Sequence, residues 1–332
     1  MIVSTLALGI LRSLECYAKR DSLSVRDLSR MLDNNSGLVH QALMELKQLG
    51  VPLIISRDSH YCLPPHFGLL NKGKIGSGLI NARAAKIYKL VLLNTVDSTN
   101  RYARDQVKAG NVSGLVVLAE QQTAGVGRRG NRWLSPFGAN IYMSIVWNFT
   151  QSEDVLQGLS LAIGVAVCRS LTKIGMSGVK LKWPNDIYVG SKKLGGILLE
   201  LVGDPSGDCS VVIGVGINHD MPFSAGEAID QAWTDIVKET VTPVSRNHLA
   251  ACLIDNIFDI LETFHRLGFS AYQDEWIAAD LMYNMPATIS NSRESISGTV
   301  LGVDEHGALR MKLENGAEKR FIGGELSLRR QV

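Results

Sequence analysis

The hexapeptide Gly125-Val126-Gly127-Arg128-Arg129-Gly130 constrains the fold of this chain more than any other segment. It fits G-x-G-x-x-G, so a dinucleotide-binding fold has to be considered first. In that fold the loop opens a helix packed on a sheet, and an acidic residue follows about 20 positions on, at a strand end. Here the loop is followed by Asn131-Arg132-Trp133-Leu134-Ser135-Pro136-Phe137-Gly138, which is no helix, and Glu153 and Asp154 read as opening a helix. The dinucleotide reading is therefore set aside. The loop makes better sense as a flexible cover. Its glycines let backbone amides approach a ligand and permit unusual φ angles, and its paired arginines offer rigid forks to carboxylate or phosphate. Alone it would be weak, because basic glycine loops are common on surfaces.

At 332 residues the chain exceeds one ordinary core and divides into two or three domains. Hydrophobic residues make up 45%, charged residues 20%, and the formal net charge is +2, a globular composition too near neutral for nucleic acid to be the main partner. Cys16, Cys62, Cys168, Cys209 and Cys252 are odd in number and lack CxxC spacing, so they read as buried thiols in a reducing compartment. The seven histidines are scattered, and no metal site is expected. Residues 1–11 are apolar without a positive leader and read as a first core helix. The apolar run 159–168 falls short of the roughly 20 residues a bilayer needs, and a cytoplasmic protein is expected.

Fold class reads as α+β in three parts. Residues 1–65 give three helices and a hairpin. Ser24 is a candidate N-cap with Asp27 behind it, a second helix carries Val39, Leu43, Leu46 and Leu49 inward to a stop at Gly50, and a strand–turn–strand wing spans 52–63. That is a winged helix-turn-helix, a DNA-reading geometry. Residues 66–90 form a connector with one weak helix. Residues 91–272 alternate strands with helices (98–109, 152–174 and 248–267), which implies a central mixed β-sheet. Residues 273–332 hold short strands, with Glu314-Asn315-Gly316 as a hairpin turn, and suggest a small SH3-like β-barrel.

Four segments keep the glycine loop company. Asp97-Ser98-Thr99-Asn100 sits at a strand-to-helix junction, where hydroxyls and an amide can fix a small polar ring; Ser98 could equally be a plain N-cap. Lys182-Trp183-Pro184-Asn185-Asp186 places a cation, an aromatic, an amide and a carboxylate together, although Asp186 could simply cap a turn and Trp183 reads as packing. Lys193-Leu194-Gly195-Gly196 sets a lysine beside two glycines, and Gly214-Val215-Gly216-Ile217-Asn218 ends a strand with an amide. With Gln122 and the arginine loop, this order resembles the biotin–protein ligases, whose catalytic domain is class II synthetase-like. The winged helix and C-terminal barrel make it similar to the bifunctional bacterial ligase/repressors. The resemblance spans nearly the whole chain and is most specific from 97 to 218.

The resemblance implies that biotin and ATP, with Mg2+, form biotinyl-5′-AMP and pyrophosphate, after which the biotinyl group passes to a lysine of the biotin carboxyl carrier protein of acetyl-CoA carboxylase. It implies Lys193, Lys182 and Arg128 as catalytic residues. Ser98, Thr99, Asn100, Gln122, Val126, Gly127, Arg128, Lys193 and Gly196 would bind biotin, and Asn185, Asp186, Trp133, Asn218 and Trp233 would serve ATP. Trp233, with Ile229, corresponds to an apolar lid over adenine, though it could be a core aromatic. One departure stands out: Val126 replaces the family's usual first loop arginine, tolerable if the backbone amide is what matters. A lipoate-type ligase and a biotin-responsive repressor with weak ligase activity are the rivals. The polar cluster of residues 98–100 with Gln122 speaks against the first, and the intact set of Lys182, Asp186 and Lys193 speaks against the second.

DNA binding is less legible. Residues 1–60 carry seven Lys/Arg against six Asp/Glu, little for phosphate contacts. The reading region is Ser24 to Leu46, with Ser36, His40 and Gln41 toward solvent, and His40 and Gln41 able to reach base edges. An operator-binding homodimer whose pairing depends on the adenylate is expected, against a winged helix kept only for folding or regulation.

Overall fold

The structure, a computed structural model, describes residues 2–17, 22–110, 112–149, 158–203, 209–290, 294–323 and 327–330. Glu153 and Asp154, and with them the expected helix start at 152, lie outside these residues.

The first unit packs α1 (Thr5–Tyr17), α2 (Val25–Met31) and α3 (Ser36–Gln48) on a three-stranded antiparallel sheet of β1 (Leu23–Ser24), β3 (His60–Cys62) and β2 (Ile54–Ile55). Ser24 caps α2 in a reciprocal box with Asp27, and Gly50 takes a positive φ just past α3, as the sequence suggested. The two-residue β1 was not foreseen. Leu11, Leu28, Val39 and Leu46 are fully buried in this unit's core, which also takes in Leu69 and Phe137 from outside it.

The connector is more ordered than expected, with two short helices, α4 (Lys72–Gly78) and α5 (Asn81–Ala84), instead of one. Buried side chains of the next unit clamp its backbone. Arg246 Nη2 donates to Gly68 O, Glu120 Oε1 accepts from Leu70 N, and Asn247 Nδ2 donates to Leu69 O. Arg246 and Glu120 pair with each other at 2.7 Å, nearly inaccessible to water.

The central mixed sheet has seven strands in the order β4 (Lys89–Leu93), β5 (Leu115–Ala119), β6 (Ile141–Phe149), β10 (Cys209–Ile217), β9 (Lys192–Gly203), β8 (Asp186–Val189), β7 (Val179–Lys182). Among the described residues, only the β4–β5 strand pairing of this sheet is parallel. Strand alternation gives the sheet two faces. Val116, Ile145, Ile197 and Ile213 meet α7 (Leu159–Lys173) and the long α10 (Arg246–Leu267) in the main core. The other face carries α6 (Thr99–Ala109) at one end and small or polar residues (Ser144, Gly196, Gly214, Gly216) at the other, leaving room for a cavity. Strands β7 and β8 were not read from the sequence.

Two four-residue helices, α8 (Phe223–Gly226) and α9 (Ile236–Glu239), sit in the segment after β10. Helix α11 (Gln273–Ala279) leads to a five-stranded antiparallel sheet ordered β14 (Glu318–Phe321), β13 (Leu309–Leu313), β12 (Ser295–Val303), β11 (Pro286–Ser290), β15 (Ser327–Arg330). Gly316 turns the β13–β14 hairpin at φ +83, as Asn315-Gly316 predicted. The thiols correct one expectation: only Cys209 and Cys252 are buried among them, Cys62 and Cys168 are half-buried, and Cys16 is exposed on the open face of α1. Among the described residues no helix is long and apolar enough to cross a membrane.

Candidate active site

Every residue the sequence singled out for biotin, ATP or catalysis lines one cavity of about 680 Å3 on the small-residue face of the central sheet. Three structural devices bring them together.

The first is the start of α6. Ser98 caps the helix, which leaves Thr99 and Asn100 buried in the first turn against β6 and β10. Gln122 follows β5 and is tied to the segment between β4 and α6 by a parallel bridge with Val96. Its Oε1 accepts from Thr99 N at 2.8 Å, and its Nε2 donates to Ser135 Oγ at 3.0 Å. Asn100 differs from expectation in one respect, since its amide already bonds Glu200 and Ser144.

The second is the glycine loop, which folds back on itself in place of opening a helix. Val126 bridges Arg132, Gly127 N donates to Asn131 O at 2.7 Å, and Trp133 N donates to Gly125 O at 2.9 Å. This small antiparallel hairpin is why the dinucleotide pattern fails here. Positive φ falls on Gly130 and, unforeseen, on Arg129 at 59°. Gly125 is required for a different reason: a Cβ there would lie 2.6 Å from Trp133 O. Val126 keeps much of its side chain in solvent. The Trp133 ring lies over Gly216, where a Cβ would meet it at 2.6 Å, and its buried Nε1 has no hydrogen-bond partner among the described residues.

The third is the β7–β8–β9 meander. Asn185 Nδ2 donates to Ile197 O, and Asn185 Oδ1 accepts from Arg128 Nη1 at 3.1 Å, which docks the loop on the sheet. Lys193 Nζ pairs with Asp186 Oδ1 at 2.7 Å and stands 5.8 Å from the Trp133 ring. Lys182 faces the Tyr188 ring at 5.4 Å. Trp183 is packing, as expected, with its Nε1 donating to Gly307 O in the C-terminal sheet's β12–β13 turn. Lys193 also holds the far wall, since its N donates to Ala232 O and its O accepts from Thr234 N on either side of Trp233. Asn218 Nδ2 donates to Thr234 O, so its amide braces the same segment. Lys238 lies 3.8 Å over the Trp233 ring.

Charge decides what the cavity suits. Arg128, Arg129, Arg132, Lys182 and Lys193 line it against Asp186 and Asp230, a surplus of cations fit for anionic ligands. Burial pulls the Arg128 guanidinium below its usual range, and the Asp186 carboxylate opposes that. Burial, with Asp186 adding to it, pushes the Tyr188 phenol up to about 12, so it stays protonated. Among the described residues no group of three His, Cys, Asp or Glu side chains is arranged for a metal ion.

Sequence reasoning passed over Arg132, which sits directly past a loop already flagged, and Ser144 and Glu200, hidden in strands. In the N-terminal unit Ser36, His40 and Gln41 are exposed on α3, as expected, while Ser24 is held in its capping box.

Residues 92–218 match the biotin/lipoate A/B protein ligase family, and residues 289–329 match the biotin protein ligase C terminal domain. The bifunctional ligase/repressor BirA of Salmonella typhimurium is 36% identical over 92% of this chain and 93% of its own length. Its Escherichia coli counterpart is 35% identical over 96% of this chain and 97% of its own. The biotin protein ligase of Aquifex aeolicus, solved in complex with biotin and ATP, superposes with a TM-score of 0.63 at 30% identity, over 73% of this chain and 99% of that one. The chain belongs to the biotin/lipoate A/B protein ligase family.

Proposed function

We propose that this protein is an ATP-dependent biotin–protein ligase that forms biotinyl-5′-AMP and transfers the biotinyl group to a lysine of a biotin carboxyl carrier protein. The observation that carries the reading is the convergence of Lys193, Lys182 and Arg128 on the wall that also holds the polar Thr99–Gln122 cluster. In the first step the biotin carboxylate attacks the α-phosphorus of ATP and pyrophosphate leaves. Two unit anions 4 Å apart repel by about 4 kcal/mol at an effective dielectric of 20, so fixed cations are what the reaction needs. Lys193 and Lys182 face the carboxylate and the new ester, and Arg128, latched to Asn185, holds the adenylate. In the second step the acceptor amine attacks the acyl carbon, an amide forms and AMP leaves.

Ser98, Thr99, Asn100, Gln122, Val126, Gly127 and Gly196 enclose biotin in this reading. Asn185, Asp186, Trp133, Asn218 and Trp233 serve the nucleotide. Closure of the loop and of the Trp233 segment would shield the mixed anhydride from water. Mg2+ would enter with the triphosphate. Asp186 supplies a hard oxygen beside the cations, which with phosphate oxygens matches that ion's taste for one or two carboxylates.

The domain division follows: 1–65 a winged helix-turn-helix, 66–90 a connector, 91–272 the catalytic domain and 273–332 an SH3-like barrel. By analogy with the bifunctional relatives, the protein also represses transcription as a cytoplasmic, adenylate-dependent homodimer on operator DNA. The exposed Ser36, His40 and Gln41 on α3 support the DNA reading. Pyrophosphate release measured with biotin and with lipoate tests the ligase claim. Release with biotin alone is the expected result, and release with lipoate alone overturns it.

A further inference from the structure

We propose that Glu200, which does not line the cavity, fixes the direction of the hydrogen bonds around Asn100 and thereby makes the Thr99–Gln122 cluster a receptor for ligand N–H groups. The inference rests on the biotin reading above and concerns how the head of that ligand is chosen.

Asn100 is buried, and Gly214 makes space for its amide, since a Cβ there would come within 3.0 Å of Asn100 Cγ. Asn100 Nδ2 donates to Glu200 Oε2 at 2.7 Å, and Arg104 Nη1 pairs with Glu200 Oε1 at 2.8 Å. A carboxylate can only accept, so the Asn100 NH2 must face Glu200 and the Asn100 Oδ1 must face Ser144 Oγ, 2.6 Å away. Ser144 is fully buried and has one hydroxyl hydrogen, which Asn100 Oδ1 takes. Ser144 Oγ also lies 2.8 Å from Thr99 Oγ1, which in turn lies 3.1 Å from Gln122 Oε1. Gln122 cannot turn over to help, because its Oε1 accepts from Thr99 N and its Nε2 donates to Ser135.

Three contacts (Asn100–Ser144, Ser144–Thr99 and Thr99–Gln122) therefore share two hydroxyl hydrogens. With the Asn100 amide reversed, Asn100 would donate to Ser144, Ser144 to Thr99 and Thr99 to Gln122, and nothing would be lacking. Glu200 prevents that reversal and keeps the cluster one hydrogen short at Thr99 and Gln122, both on the cavity wall. An N–H of a cyclic urea supplies the missing hydrogen; a head with only acceptors, or an apolar one, cannot. Glu200 is thus a positioning residue acting through Asn100 and Ser144.

The test is calorimetric titration of the full chain, as wild type, Glu200→Gln and Ser144→Ala, with biotin and with biotin methylated at its ureido nitrogens. Melting temperature, kcat and the ATP KM for pyrophosphate release are measured alongside. In Glu200→Gln the Asn100 amide is free to turn, and in Ser144→Ala the Thr99 hydrogen serves Gln122 alone, so either change removes the deficit. Each variant should bind biotin about tenfold more weakly, the size of one hydrogen bond in a charge-oriented network. Its preference for biotin over the methylated forms should shrink with it, at unchanged ATP KM. Wild-type affinity and preference in both variants overturn the proposal. So does a joint fall in melting temperature, kcat and ATP affinity at unchanged preference, which is what a mere structural prop would give. A wild-type protein that does not bind biotin overturns the ligase reading itself, a result distinct from these.

Discussion

Lys193 and Asp186 meet as an ion pair on adjacent strands, Nζ 2.7 Å from Oδ1, at the wall where the cations of the cavity gather. The pair holds the ammonium in place before any substrate arrives, so little rearrangement is left for the reaction. Lys193→Met keeps the length of the stem and removes the charge. Adenylate formation, followed by single-turnover pyrophosphate release, should slow by about a hundredfold to a thousandfold, the usual effect of losing one preorganised charge donor. Biotin affinity should change far less, because the Thr99–Gln122 cluster is untouched.

The resemblance puts Val126 where the family's loop usually carries an arginine. The residue is 41% exposed and its backbone is already engaged with Arg132, which favours a contribution through the main chain. Val126→Arg should therefore alter the biotin dissociation constant by no more than about fivefold, as for exposed charges generally. Calorimetry checks this, and a gain of about a hundredfold contradicts it.

Asp280 joins α11 to the C-terminal sheet and is buried. Its Oδ1 accepts from Met282 N at 2.8 Å, while its Oδ2 has no hydrogen-bond partner among the described residues. Burial pushes its carboxyl up to about 6, against the help of the Met282 amide and Lys180. A carboxyl raised in the folded state favours folding while it is protonated. That contribution fades as pH climbs from the unfolded value near 4 through about 6. Asp280→Asn retains the acceptor and removes the charge. It should stabilise the fold at pH 7.5 by on the order of 3 kcal/mol, with the gain shrinking steadily below pH 6. Thermal melts across that range decide it; a pH-independent difference would be the contrary result.

The operator claim has its own signature. His40 and Gln41 are exposed on α3, and the unit carries little net charge, so affinity has to come from base contacts more than from phosphate. In gel-shift assays with the promoter of the chain's own biotin operon, biotin plus ATP should produce a shift. The double change His40→Ala and Gln41→Ala should cost about 1–3 kcal/mol of sequence preference and leave the salt slope unaltered. No shift with both ligands present ends the repressor claim.

The sequence carried the cavity better than its support. Glycines, cations and amides at fixed spacing marked the wall, because each has few structural substitutes in a loop or at a strand end. Ser144 looked like any residue of an apolar strand, and Glu200 is 100 positions from the Asn100 it orients, so nothing local betrays the pair. The Glu120–Arg246 clamp on the connector was hidden for the same reason, a separation of 126 positions. Strands β7 and β8 went unread because Pro184 and Asn185 between them look like a loop, and they are indeed the turn of a hairpin. The glycine loop taught the opposite lesson: its pattern was legible, and the segment after it decided the fold.

The most direct measurement is intact mass spectrometry of a biotin carboxyl carrier domain incubated with the protein, ATP, Mg2+ and biotin. The account predicts that the carrier gains the mass of one biotinyl group, and that the gain disappears without ATP and is largely lost with the Lys193→Met protein. An unmodified carrier after incubation with the folded wild-type protein and all three small molecules would contradict it.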